Sequence, residues 1–245
     1  MISIIIPTFS EGRYLPGTLD AIERNQSSHE VIVVDAGSFD GTIEIALERK
    51  TQLISSGLRQ RASQMNLGAQ SARGDVFLFL HADTRLPQDA FTQIESVLAK
   101  RSVVGGGFVR RYESPSWFLR GTCALASIRT RLSGWFLGDQ AIFVRAEVFK
   151  ILGGFRDFNL FEDLDFSRRM RRQGRVVTLR SSVISSARRF SSRSPWRRTL
   201  LDLLLTLRYL RGADPNQLAA EYCRESENSR QAAQVAVTAN HILPS

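Results

Sequence analysis

The sequence predicts an α/β fold built on a mostly parallel central sheet with helices on both faces. Three observations predict it. Segments apolar throughout, such as Val31-Ile32-Val33-Val34, alternate with segments of helical spacing, the pattern of strands buried on both faces. The residues able to carry chemistry, in Pro7-Thr8-Phe9, Asp35 and Asp83, fall where those strands end, and ligands of such sheets bind beyond the carboxyl ends of the strands. A length of 245 residues suits one large domain with a full core.

Taken in order, Ser3-Ile4-Ile5-Ile6-Pro7 reads as a buried strand, followed by helical spacing at Leu15, Leu19 and Ile22. Val31 to Asp35 is a second strand, closing on the turn-rich Ala36-Gly37-Ser38-Phe39-Asp40-Gly41. A helix is expected from Thr42, with Ile43, Ala46 and Leu47 on one face. Gln52 to Ser55 reads as a short strand, Leu58 to Ala72 as a helix and Asp75 to Leu80 as the next strand. After Val103 the pattern changes. Val103-Val104-Gly105-Gly106-Gly107-Phe108-Val109 is a glycine-rich strand, where missing side chains allow a ligand or another backbone to come close. A helical run through Trp117 and Leu125 leads to Gly138-Asp139-Gln140-Ala141-Ile142-Phe143-Val144, a strand reached from a loop. Gly153-Gly154-Phe155 is a turn, and two helices are expected from Ser194-Pro195-Trp196 onward, joined near Gly212 to Pro215. The division is residues 1–102 as a nucleotide-binding part, 103–190 as an acceptor part, and 191–245 as a helical extension.

The charge balance is basic: 33 Lys plus Arg against 24 Asp plus Glu, net +9. From Asp165 to Arg211 there are thirteen arginines, no lysine, and two acids, Asp165 and Asp202. Such a surface favours anions, and phosphates or anionic lipid head groups are expected rather than nucleic acid. Cys123 and Cys223 lack metal-ligand spacing, which fits a reducing compartment. With no signal-peptide pattern and no apolar run approaching about 20 residues, a cytoplasmic protein is expected.

Two acidic segments carry the chemistry, His81-Ala82-Asp83-Thr84 after a strand and Phe161-Glu162-Asp163-Leu164-Asp165 opening a helix. A carboxylate in each position could simply cap a helix. Together they suit displacement on a phosphate-activated substrate, which needs something to hold a leaving diphosphate and something to take a proton.

These segments, with Ser3-Ile4-Ile5-Ile6-Pro7-Thr8, Val33-Val34-Asp35-Ala36-Gly37-Ser38-Phe39-Asp40-Gly41-Thr42 and Gly153-Gly154-Phe155, resemble the family-2 nucleotide-sugar glycosyltransferases of the GT-A fold. The likeness runs over roughly residues 1–180 and is strongest to a compact bacterial branch with a His-Ala-Asp-Thr segment. The resemblance implies an inverting transfer from a nucleoside-diphosphate sugar, a UDP-sugar, to an acceptor hydroxyl, with residues 1–190 as the catalytic domain. It implies that Pro7, Thr8, Glu11, Asp35, Ser38, Arg61, Asn66 and Ala82 meet the donor. Asp35 would accept from a uracil-type ring nitrogen or else serve its own turn. Arg61 would face the diphosphate or else be solvated.

Asp83 is implied as a ligand of Mn²⁺ or Mg²⁺. His81 stands where the family's usual Asp-x-Asp has its first acid, and it either ligates the ion or hydrogen-bonds the sugar or phosphate. Asp163 is implied as the catalytic base, with Glu162 as the alternative and Asp165 adding like charge. Gly138, Asp139 and Gln140 would line an acceptor or donor-sugar pocket. Arg188, Arg189, Arg193, Arg197 and Arg198, beside Leu200, Leu203, Leu204 and Leu207, suggest contact with a lipid-linked acceptor at an anionic membrane, or a packed helix with solvated arginines. Association as a homodimer is left open. Two competing readings are a nucleotidyltransferase, disfavoured by the lack of a glycine-rich basic loop after the first strand, and a basic sugar- or lipid-binding module without catalysis.

Overall fold

Seven consecutive buried residues, Ile2–Thr8, make the strand β1 around which the first half of the sheet is laid. The computed structural model describes residues 1–190 and 195–225. In the first half, β1, β2 (His29–Asp35), β3 (Gln52–Ser55) and β4 (Val76–Phe79) alternate with α1 (Leu15–Glu23), α2 (Thr42–Glu48) and α3 (Arg61–Ser71). Then come β5 (Thr84–Arg85), α4 (Ala90–Leu98), β6 (Val103–Glu113), α5 (Trp117–Ser133), β7 (Ile142–Arg145), α6 (Ala146–Ile151), α7 (Glu162–Gln173), β8 (Arg175–Ser186) and α8 (Pro195–Leu210). A further helical stretch covers residues 215–225.

All eight strands form one sheet in the order β3-β2-β1-β4-β7-β6-β8-β5. The pairs β1–β2, β1–β4, β2–β3 and β6–β8 are parallel; β4–β7, β6–β7 and β5–β8 are antiparallel. The parallel character therefore belongs mainly to the first half. Its register sets Thr8 beside Asp35 and Asp35 beside Ser55, so the carboxyl ends of these strands lie level.

Alternate residues of each central strand face opposite cores. Ile4 and Ile6 point to the side covered by α1 and α4, with Leu19, Ile22, Phe91 and Ile94. Ile5 points to the side covered by α3, α6 and α7, with Met65, Phe149, Phe166 and Met170. On that second face Phe79, Phe149, Phe155 and Phe166 interlock, Phe155 and Phe166 at 4.4 Å between centroids. This aromatic cluster fixes the start of α7 against the sheet. In β6 a side chain at Gly106 would strike the Val177 carbonyl and one at Gly107 the Phe136 ring. The close approach expected of the glycine-rich strand is made by neighbouring backbone and by packed aromatics.

Several expectations need correction. On α2 the inward residues are Thr42 and Ala46, while Leu47 is exposed. The helix expected from Leu58 begins at Arg61, and Leu58 is exposed. The elements α4, α6, β5 and β8 were not legible in the sequence. Arg193 and the side chain of Arg189 lie outside the described residues. Arg198 is buried, pairs with Asp202 at 3.5 Å and lies over the Tyr222 ring, so it does not face outward to lipid.

Candidate active site

Two adjoining cavities open beyond the carboxyl ends of β1 and β4. One, of about 250 Å³, is lined by Pro7, Glu11, Ala82, Asp83, Ser186 and Arg188; the other, of about 150 Å³, by Gly138, Glu162, Asp163 and Leu205. Arg61, His81, Asp139 and Tyr222 line both. A cavity of about 370 Å³ at the amino ends of β2 and β3 contains none of the expected site residues.

The second cavity holds the acidic pair. Phe161, at the cap of α7, has φ +68°, a conformation costing a non-glycine residue about 1 kcal/mol. Its ring stacks on Tyr209 at 4.9 Å, so α8 helps hold the bend that turns Glu162 and Asp163 towards the cavity. Gly138 N–H donates to Asp163 Oδ2 at 2.5 Å, and Leu164 N–H donates to Oδ1. A side chain at Gly138 would meet His81 Nε2 and come within 3.3 Å of Asp163 Oδ2, so the imidazole and this carboxylate share one corner. Burial raises the pKa of Asp163, against the opposing pull of those two N–H groups. Burial, and then the charge of Asp163, raise Glu162 to about 7; Arg61, 3.7 Å away, partly offsets this.

Asp165 does not add to the repulsion as expected. It accepts from Arg169 Nε at 2.7 Å and Arg156 Nη1 at 3.3 Å. Arg169 in turn donates to the carbonyls of Leu152 and Gly154. This fastens the Gly153-Gly154 turn, whose residues have φ +69° and +75°, to α7. Asn66 fastens the same turn, exchanging two 2.8 Å hydrogen bonds with the backbone of Phe155.

On the other side, Glu11 and Asp83 face each other across Arg188. Arg188 Nη2 donates to Glu11 Oε1 at 2.6 Å, its Nε lies 3.0 Å from Asp83 Oδ2, and its guanidinium covers the Tyr14 ring. Burial raises the Glu11 pKa, more than the bond from Arg188 lowers it.

The structure thus brings Pro7, Glu11, Arg61, His81, Ala82, Asp83, Gly138, Asp139, Glu162 and Asp163 together. Others are engaged elsewhere. Asp35 accepts from Thr8 Oγ1, from the N–H groups of Gly37 and Ser38, and from Ser38 Oγ, at 2.6–2.9 Å. Four such bonds fill a carboxylate's acceptor sites, the arrangement of a turn residue. Gln140 is buried and bonds to Phe108, Thr130 and Leu137. Asp139 accepts from Arg110 at 2.6 Å and from Tyr112.

Sequence reasoning did not place Arg188 or Tyr112 at this cleft, nor Arg110 on Asp139. Arg129 was also missed: burial lowers its pKa, while Asp139 and Asp163 act to keep it charged.

A curled mixed sheet with its polar cleft at these strand ends is the architecture of GT-A glycosyltransferases. The model of "Glycosyl transferase family 2" matches residues 3–190, and the chain belongs to that family. It is therefore a glycosyltransferase, which sets aside the nucleotidyltransferase reading. It is similar to an undecaprenyl-phosphate 4-deoxy-4-formamido-L-arabinose transferase of Aeromonas hydrophila, 27% identical over 159 residues, 60% of this chain and 48% of the relative. The chain thus spans about half the length of that relative. It is also similar to a PGL/p-HBAD biosynthesis glycosyltransferase of Mycobacterium tuberculosis, 29% identical over 208 residues, 75% of each.

Among solved structures, the mannosyltransferase PcManGT of Pyrobaculum calidifontis, in complex with GDP-Man and Mn²⁺, matches with TM-score 0.68 and 18% identity. The match covers 100% of this chain and 76% of that one. S. aureus TarS 1-349 in complex with UDP-GlcNAc matches with TM-score 0.59 and 17% identity, covering 76% and 58%. At these identities the likeness concerns the fold.

The raised Glu162 pKa makes stability depend on pH. The folded protein holds this proton more tightly than the unfolded chain, so the folded state loses stability as pH climbs from the ordinary 4.5 through about 7. Glu162→Gln removes that loss. Urea unfolding should find the variant gaining on the wild type between pH 4.5 and pH 8; parallel pH profiles for the two proteins would refute the assignment.

Proposed function

We propose that this chain transfers a sugar, with inversion, from a nucleoside-diphosphate donor, a UDP-sugar, to the hydroxyl of a lipid-linked acceptor. The observation that carries this reading is the shared wall of the two cavities. A donor whose diphosphate lies by Glu11, Asp83 and Arg188 would turn its sugar past Arg61 and His81 towards Asp163. Asp163 then takes the acceptor's proton as the acceptor oxygen bonds to the anomeric carbon. The bond from that carbon to the diphosphate oxygen breaks, and the electron pair leaves with the phosphate. Gly138 N–H orients the base, and burial raises its appetite for a proton. Glu162 is the alternative base. UDP is preferred because the TarS neighbour was solved with UDP-GlcNAc; GDP belongs in the same assays because PcManGT was solved with GDP-Man.

The expected divalent ion fits this site poorly. Hard ions want several oxygen ligands. Asp83 is the acid supplied by the His81-Ala82-Asp83 segment, and it is engaged with Arg188. Among the described residues no three His, Cys, Asp or Glu side chains gather as a metal site. No step is therefore routed through a metal.

A lipid-linked acceptor draws support from the relative named for undecaprenyl phosphate and from the outer face of the last helices. Trp196, Leu200, Leu203, Leu204 and Leu207 recur at helical spacing on α8 and are exposed; Trp117, Leu125, Ile128 and Leu132 do the same on α5. Trp135 is instead partly buried beneath Arg168. Among the described residues no helix is long and apolar enough to cross a membrane, so the proposed contact is peripheral.

Asp163→Asn should keep UDP binding while transfer falls on the order of 10²–10⁴-fold, as loss of a general base does. Single-turnover assays with candidate UDP-sugars would measure it, and near-normal transfer would move the base to Glu162. Leu203→Ser with Leu204→Ser and Arg197→Gln should weaken binding to anionic vesicles, the arginine alone by roughly 1 kcal/mol. UDP affinity should stay unchanged. A wild-type protein that ignores such vesicles at low salt would point to a soluble acceptor.

A further inference from the structure

The guanidinium of Arg188 stands on the two carboxylates that a divalent ion at this site would need. Its position is built in rather than incidental. Ser186 N–H, at the end of β8, donates to the Asp83 carbonyl at 3.0 Å, which ties the incoming chain to the strand end that carries Asp83. Ser186 Oγ accepts from Arg188 N–H, and Tyr14 supports the guanidinium from one side at 4.5 Å. Glu11 and Asp83 then take its Nη2 and Nε at 2.6 and 3.0 Å. Glu11, Asp83, Ser186 and Arg188 line the cavity of about 250 Å³ together with Arg61 and Pro7. The second oxygen of Glu11 is buried and makes no hydrogen bond among the described residues.

Charge separates the two ways of using such a site. A resident divalent cation would be repelled by an arginine held on its own ligands, and an arginine is not deprotonated in a protein. The residue beside Ala82 that would add a second acid is His81, which brings no fixed negative charge. The His81-Ala82-Asp83 segment thus offers one fixed anion, and that anion is met by a permanent cation. A planar fork that pairs with carboxylates can exchange them for phosphate oxygens of like geometry.

We propose that Arg188 is the cation that binds the donor's diphosphate in this enzyme, in the role a divalent ion would otherwise fill. The inference rests on the transferase reading above. When the sugar leaves the donor, the electron pair of the breaking carbon–oxygen bond stays on the phosphate oxygen. Arg188, with Arg61 across the cavity, stabilises the charge gathered there.

Calorimetry with UDP, GDP and UMP, in EDTA and in Mn²⁺, tests this on the full chain. The wild type should bind a nucleoside diphosphate in EDTA, with little gain from Mn²⁺. Arg188→Gln should weaken UDP by about tenfold to a hundredfold, as loss of charged hydrogen bonds does. It should weaken UMP less, and make UDP binding respond to Mn²⁺ because Glu11 and Asp83 are released. Arg188→Lys should recover part of the loss. UDP binding by the wild type in Mn²⁺ alone, or unchanged UDP affinity in Arg188→Gln, would overturn the proposal while leaving the transferase reading intact. Should Arg188→Gln fail to fold, the wild-type comparison of EDTA with Mn²⁺ still decides. Absence of binding by both UDP and GDP under either condition would remove the transferase reading, and this inference with it.

Discussion

Two adjacent carboxylates, Glu162 buried and Asp163 half-buried, are set side by side at the start of one helix, and much of the second half of the fold holds them there. Burying charge is costly unless it is paired or hydrogen-bonded. Here the compensation is incomplete: one arginine at 3.7 Å from Glu162 and two backbone N–H groups on Asp163. The shortfall appears as raised proton affinity, the property a proton acceptor needs. The scaffold bears the cost through the interlocked phenylalanines beneath α7, the Asp165–Arg169 tie to the Gly153-Gly154 turn, and the Phe161–Tyr209 stack. Asp165, expected only to add like charge to the pair, proves to be part of that support.

The setting of the larger cavity follows from strands that run parallel in the sheet. Parallel strands end level, so residues far apart in sequence meet at one edge, and the Glu11–Arg188 bond spans 177 positions. The Asp35 turn lies at the same edge but turns its carboxylate inward to its own backbone. It lines neither cavity, whereas Glu11, Asp83 and Arg188 bring charged groups to the larger one. Between the two sides stand Arg61 and His81, which line both cavities.

The first half of the fold was legible because β1, β2 and β4 carry apolar runs and the turn after β2 carries Gly and Asp. The positions of β1, β2 and β4 could be read that way, as could the acidic start of α7. β8 could not. Its Arg175-Val176-Val177-Thr178-Leu179-Arg180-Ser181-Ser182-Val183-Ile184 lacks clean alternation, because a bulge shifts its register between Leu179 and Ser182 against β6. Missing β8 meant missing Arg188, whose place depends on where that strand ends. The same gap placed Arg188 and Arg198 in a tail read either as lipid-facing or as a packed helix with solvated arginines, although the first lines the larger cavity of the cleft and the second is buried. Asn66, Asp35 and Gln140 matched motifs by type, but which hydrogen bonds an amide or carboxylate makes is settled by tertiary neighbours that no spacing reveals.

A crystal structure of the protein with UDP, grown without added metal, tests the central claim most directly. The account predicts the diphosphate in the cleft beyond β1 and β4, its oxygens within hydrogen-bond distance of the Arg188 guanidinium and its free end directed past His81 towards Asp163. A nucleotide seated in the cavity at the amino ends of β2 and β3, or one in the cleft with Arg188 still held by Glu11 and Asp83 and no contact to phosphate, would contradict it.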